Sequence, residues 1–164
     1  MTRKSLSEDR MRSLEKEVIK TLDISKNCAQ TSFSVLEKEF DLDGGEILKA
    51  LTPFPGLGLR GETCGAVAGC LMALGLVFGR EDLADWKGYL RSLPPARRFC
   101  RKFEAEHGST ACADLLEAKM GRRYDLADRW ESVKYAANGG KKTCGKIISS
   151  AVLISAELID AKTA

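Results

Sequence analysis

The chain predicts an all-α, single-domain bundle of about seven helices packed round a buried central helix. Three observations carry that class. Apolar residues recur at helical spacing through most of the 164 residues. No useful run of period-two alternation occurs, so no strand is expected. The stripes are separated by strong breakers at Pro53, Pro55, Pro94-Pro95 and Asn138-Gly139-Gly140. With 44% hydrophobic residues, a chain of this length buries a core without staples.

The first helix spans Ser5 to Leu22, opened by the capping box Ser5-x-x-Glu8 and striped by Leu6, Met11, Leu14, Val18 and Leu22. The second, Cys28 to Phe40, repeats apolar residues at Ala29, Phe33, Leu36 and Phe40. Asp43-x-x-Glu46 reads as a second box, beginning a short helix through Leu51. Cys64 to Phe78 is apolar on nearly all sides and is expected to be the buried central helix. Asp82 to Leu93 is expected to stop at Pro94-Pro95, with Pro95 opening the next helix through Phe99 and Phe103. A short helix from Cys112 ends near Gly121, an amphipathic one runs from Asp125 to Ala137, and the last runs from Cys144 to about Ala161.

Charge narrows the function. The net charge of +3 arises from 26 basic and 23 acidic residues, a balance that argues against nucleic-acid binding. Arg97, Arg98, Arg101 and Lys102 read as a solvated helix flank. The longest apolar stretch, Ala66 to Phe78, is shorter than the ~20 residues a bilayer span needs, so no membrane insertion is expected. The N-terminal residues run into charge without an apolar signal core, which points to the cytoplasm. Thiols stay reduced there, so six cysteines point to metal binding or redox chemistry rather than structural disulfides.

Four of the six cysteines, Cys28, Cys64, Cys112 and Cys144, fall at expected helix starts behind Asn27, Thr63, Thr110-Ala111 and Thr143. A helix start offers free N–H groups and the positive end of the dipole, which lower a thiol's pKa. Four such positions suggest one shared site assembled by the fold. No C-x-x-C pair exists, which fits neither a zinc ribbon nor thioredoxin-type exchange. Four thiolates suit tetrahedral zinc or an iron–sulfur cluster equally well. Cys70, six residues past Cys64, points about 240° away round the helix and reads, like Cys100, as core filler.

His107, the only histidine, stands beside the Gly108-Ser-Thr turn as a reserve ligand or proton carrier. Gly56-Leu-Gly-Leu-Arg-Gly61 matches G-x-G-x-x-G, but no strand flanks it, so nicotinamide binding is rejected. It reads instead as a tight turn that brings backbone N–H groups near Cys64, with Gly58, Gly61 and Gly65 supporting the site. Arg60 and Glu62 flank it.

The order Cys28, Cys64-Gly65-Ala66-Val67-Ala68-Gly69, Cys112, Cys144 resembles the C-GCAxxG-C-C family of redox-active proteins. Asn27-Cys28-Ala29-Gln30, Gly61-Glu62-Thr63-Cys64 and Cys112-Ala113-Asp114-Leu115-Leu116 fit the same pattern, and the likeness covers about Cys28 to Leu158. One departure is that Gly-Cys-Ala reads here as Cys64-Gly65-Ala66. The resemblance implies a bacterial or archaeal protein whose four motif cysteines are those singled out above. A similar domain accompanies the haem part of split-Soret cytochromes; lacking C-x-x-C-H, this chain is expected to carry no c-type haem.

The resulting expectation is an N-terminal helix over 1–24 and a four-cysteine redox core over 28–160. Cys28, Cys64, Cys112 and Cys144 are expected to hold an iron–sulfur cluster of 2Fe–2S type for electron transfer. The alternatives are a structural or carrier zinc site, or a metal-free thiol–disulfide protein using two of the four. An oxidoreductase or a transporter-associated protein is the expected partner; a homodimer is one assembly left open, since the sequence does not give the oligomeric state. An accessory carrier fits this expectation better than a stand-alone enzyme.

Overall fold

The computed structural model describes residues 6–163, and these are helical, with one isolated antiparallel bridge, Thr63 to Ala111, as their only extended pairing. Nine helices occur among the described residues, against about seven expected. They are α1 (Glu8–Ser25), α2 (Cys28–Phe40), α3 (Gly45–Ala50), α4 (Gly56–Leu59), α5 (Gly65–Phe78), α6 (Trp86–His107), α7 (Cys112–Met120), α8 (Arg129–Ala137) and α9 (Gly140–Thr163).

Small residues set the centre. Helix α5 lies along α2, and the contact is close because Gly69 leaves no room for a Cβ against the Ala29 carbonyl and Ser32 hydroxyl of α2. Helix α9 packs on both and supplies Ile147, Ile148, Ala151, Val152 and Ile159 to the core. Helix α1 closes one side through Leu14, Val18 and Leu22, and α6 the other through Phe99 and Phe103. Burying each large apolar side chain contributes about 1.5–3 kcal/mol, so these stripes are what hold the bundle. At the rim, Arg10 of α1 reaches Glu39 of α2 at 2.7 Å and Asp160 of α9 at 2.5 Å, tying three helices together.

Several expected boundaries move. Ser5 lies outside the described residues; α1 begins at Glu8, where the Ser7 hydroxyl accepts the Arg10 N–H at 3.3 Å. The Asp43 box does not form, because α3 starts at Gly45 behind Gly44 without a side-chain cap. The central helix is buried on all sides only from Gly65 to Cys70; beyond that Ala73 and Leu74 face the core while Met72 and Leu76 are exposed. Helix α8 starts at Arg129, where Asp128 accepts from Trp130 and Glu131 at 2.9 Å, so residues from Asp125 belong to the preceding turn.

Pro94-Pro95 does not stop its helix: α6 continues from Trp86 to His107. Two prolines remove two N–H donors and leave the carbonyls of Leu90 and Arg91 without helical partners. Both residues lie on an exposed stretch where water can serve those carbonyls. Asp85 fixes the upstream end by accepting from Gly88 at 2.8 Å, while buried Phe99 and Phe103 fix the downstream end.

No helix among the described residues is long and apolar enough to cross a membrane.

Candidate functional site

Four chain segments deliver the four cysteines to one end of the bundle. Cys28 is the first residue of α2, where the Asn27 side chain accepts from Gln30 N–H at 2.9 Å and so caps the helix. Cys64 is itself the residue that precedes α5, and Cys112 opens α7. Thr63 and Thr110 do not cap these helices; their backbones are engaged instead in the antiparallel bridge. Cys64 N–H donates to Thr110 O at 2.8 Å, Cys112 N–H to Glu62 O at 2.6 Å, and Ala113 N–H to Gly61 O at 2.9 Å. These bonds lock the second and third cysteines into one backbone unit.

Cys144 corrects the expected pattern. It lies one turn inside α9, not at its start, because the helix begins at Gly140, directly after Gly139 with φ 82°. Its partner comes from another helix: the Tyr135 hydroxyl of α8 donates to Cys144 Sγ at 2.9 Å.

Cys28, Cys112 and Cys144 line a cavity of about 120 Å³. Leu59, Leu116, Tyr124 and Tyr135 make most of its wall apolar, with Lys26 at its edge. Cys64 is 7% exposed and is not part of this lining, but it is close enough to feel the other three sulfurs. The backbone N–H of Gly65 points at the Cys28 sulfur, and that of Ala66 at the Cys64 sulfur.

Burial reverses the expected electrostatics. The Cys28 thiol is pushed up to about 12, first by desolvation and then by the neighbouring Cys144 and Cys112 sulfurs. Burial raises Cys112 to about 11 and lifts Cys64 and Cys144 above the ordinary thiol value. The N–H groups and the Tyr135 hydroxyl act in the opposite direction but are outweighed. A helix start lowers a thiol's pKa where water still reaches it; inside an apolar wall the desolvation cost wins. Without a counter-cation these four groups are neutral thiols.

The supporting residues separate. Gly65 is pressed against Cys28 and Gly61 lines the cavity beside Ala113, whereas Gly58 has open space around it. The turn over 56–59 is left-handed, with φ of 55°, 50°, 76° and 63° at Gly56, Leu57, Gly58 and Leu59. The N–H groups that meet the sulfurs come from Cys28 itself at the start of α2 and from Gly65 and Ala66 at the start of α5, not from this turn. His107 is not in the cavity lining; its Nε2 pairs with Ser150 Oγ at 2.8 Å and its ring lies against Phe103.

Cys70 is fully buried among core residues, beside Ser32 and Ser155, and Cys100 is half-buried on α6. Sequence reasoning missed Tyr124, Tyr135 and Lys26. Only the placement of Tyr135 before the Asn138-Gly-Gly break hinted that its helix folds back onto the segment carrying Cys144.

The fold and the site together define a helical protein built round a small, cysteine-lined cavity. It belongs to the C_GCAxxG_C_C family, whose profile, described as "Putative redox-active protein (C_GCAxxG_C_C)", matches residues 26–158. No curated protein and no solved structure matches the chain.

Proposed function

We propose that the chain is a small electron-transfer protein that binds a 2Fe–2S cluster through Cys28, Cys64, Cys112 and Cys144. The observation that carries this reading is the meeting of three thiols, Cys28, Cys112 and Cys144, at one apolar cavity with buried Cys64 in electrostatic reach of all three. The donor set fits the group. Besides sulfur the lining offers only Lys26 and the Tyr124 and Tyr135 phenols, with no carboxylate or imidazole. Among the described residues no three His, Cys, Asp or Glu side chains converge closely enough to grip one ion, yet all four sulfurs stay in electrostatic reach of one another. Four thiolates suit an iron–sulfur cluster or tetrahedral zinc alike, and the redox-active description of the family favours the cluster.

When bound, the cluster supplies a one-electron redox couple. The chain's own residues give up the four thiol protons on loading, so uptake is favoured by rising pH. Gly65 and Ala66 then direct N–H groups at the Cys28 and Cys64 sulfurs and offset their charge. Leu59, Leu116 and Leu126 restrict water at the cavity. A cytoplasmic location and an oxidoreductase or transporter-associated partner belong to the same reading.

The test is purification without oxygen, followed by a visible spectrum and assays for iron, sulfide and zinc. Brown protein with equal iron and sulfide supports the cluster. One zinc and no colour would replace it with a structural or carrier site, and metal-free protein would bring thiol–disulfide chemistry forward.

A further inference from the structure

The phenol that meets Cys144 is held with more care than a wall residue needs. The Tyr135 ring meets Tyr124 edge-on, with centroids 5.8 Å apart and planes at 74°. Tyr124 is fixed in turn: its hydroxyl accepts from Asn138 Nδ2 at 3.1 Å, and the Arg122 guanidinium lies over its ring at 4.6 Å. Gly140 approaches so closely that a Cβ there would overlap the Tyr135 ring. Gly140 begins α9, the helix that carries Cys144 one turn later. The ring is thus clamped by the same backbone that positions its sulfur partner, and its hydroxyl donates to Cys144 Sγ at 2.9 Å inside the cavity lining.

We propose that Tyr135 is a positioning residue: its hydroxyl aims the Cys144 sulfur into the cavity and draws electron density from it, which raises the reduction potential of whatever redox centre that sulfur serves. A hydrogen bond to a coordinating sulfur weakens its donation to the metal and favours the reduced state. This part rests on the cluster reading only for its electrochemical readout. Tyr135→Phe keeps the ring and removes one oxygen, so the clamp survives while the hydrogen bond does not.

Two measurements decide it. In anaerobically purified protein, redox titration of Tyr135→Phe should give normal iron and sulfide content with a midpoint potential more negative than wild type. Cys100→Ser, remote from the cavity lining, should titrate like wild type. An unchanged potential in Tyr135→Phe overturns the proposal. In metal-free protein carrying ring-labelled ¹³C-tyrosine, the Tyr135 Cζ resonance, assigned by its loss in Tyr135→Phe, should shift in Cys144→Ala and stay fixed in Cys100→Ala. A resonance that ignores Cys144→Ala also overturns the proposal. If wild-type protein contains no iron, the cluster reading fails by itself, and the NMR pair still decides whether Tyr135 positions Cys144.

Discussion

Gly65 offers its backbone N–H to the Cys28 sulfur and leaves no room for a side chain beside it. A Cβ at this position would overlap Sγ and stand only 3.0 Å from the Ala29 nitrogen and 3.1 Å from Pro55 Cα. Two of those neighbours are backbone atoms, which cannot swing aside. Gly65→Ala should therefore lower stability by about 1–3 kcal/mol, as overpacking does. It should also displace Cys28 from the cavity. Urea unfolding and the iron content of anaerobically purified protein check both parts.

Removing single sulfurs should sort the six cysteines. Ser in place of Cys28, Cys64, Cys112 or Cys144 is expected to bleach or destabilise the bound centre, whereas Cys100→Ser should leave visible absorption unchanged. Full colour in all four single variants would sink the cluster reading.

The raised thiols make metal-free protein sensitive to alkali. Cys28 and Cys112 sit near 12 and 11 in the fold, against 9.0 for an ordinary thiol. The unfolded chain loses those protons first as pH rises, so it binds fewer protons and gains ground. Stability from these groups is fully present below pH 9 and declines as pH rises through 9 toward about 12. Chemical denaturation across that range should show the decline, and loading the site should abolish it.

Two leucines stand in the left-handed region next to the cavity. Such a conformation costs about 1–2 kcal/mol for a residue with a Cβ. Leu57, at φ 50°, is also exposed, so its side chain contributes little packing. Leu57→Gly should raise unfolding free energy by up to about 1 kcal/mol after the extra chain entropy of glycine is subtracted. Leu59→Gly relieves similar strain but opens the cavity wall, so it should gain less. Thermal melts of the pair measure the difference.

Helix α6 carries its own weakness. Replacing Pro94 and Pro95 by Ala restores N–H donors for the carbonyls of Leu90 and Arg91. The double variant should be more stable by about 1–3 kcal/mol, with protection from amide exchange extended through the middle of the helix.

The helical class was legible because apolar periodicity is a local property: Ala29, Phe33 and Leu36 on α2, and the α9 stripe, are buried as their spacing requires. Boundaries were less so. Threonines at 63 and 110 look like caps in sequence, but their backbones pair across the loop instead, a contact between distant segments. The two prolines were overruled by buried phenylalanines downstream. The sequence pattern pointed to Cys28, Cys112 and Cys144, which meet at one cavity, and to Cys64 within electrostatic reach of them. The direction of their acidity was not legible, because burial depends on leucines and tyrosines from four other segments. For Tyr135 only the turn signal after it, Asn138-Gly139-Gly140, was legible, not its bond to Cys144.

The backbone bridge between Thr63 and Ala111 also bears on chain topology. Cys64 and Cys112 are already tied together through main-chain bonds to Thr110 and Glu62, while Cys28 and Cys144 arrive on separate helices, α2 and α9. A centre gripping all four would close long loops from both sides onto that one clasp. Closing a loop removes freedom from the unfolded ensemble, and the effect grows only slowly with loop length. Loss of the centre would then release the outer two arms of that closure, α2 and α9, from the site, while the apolar core and the main-chain clasp keep the bundle together.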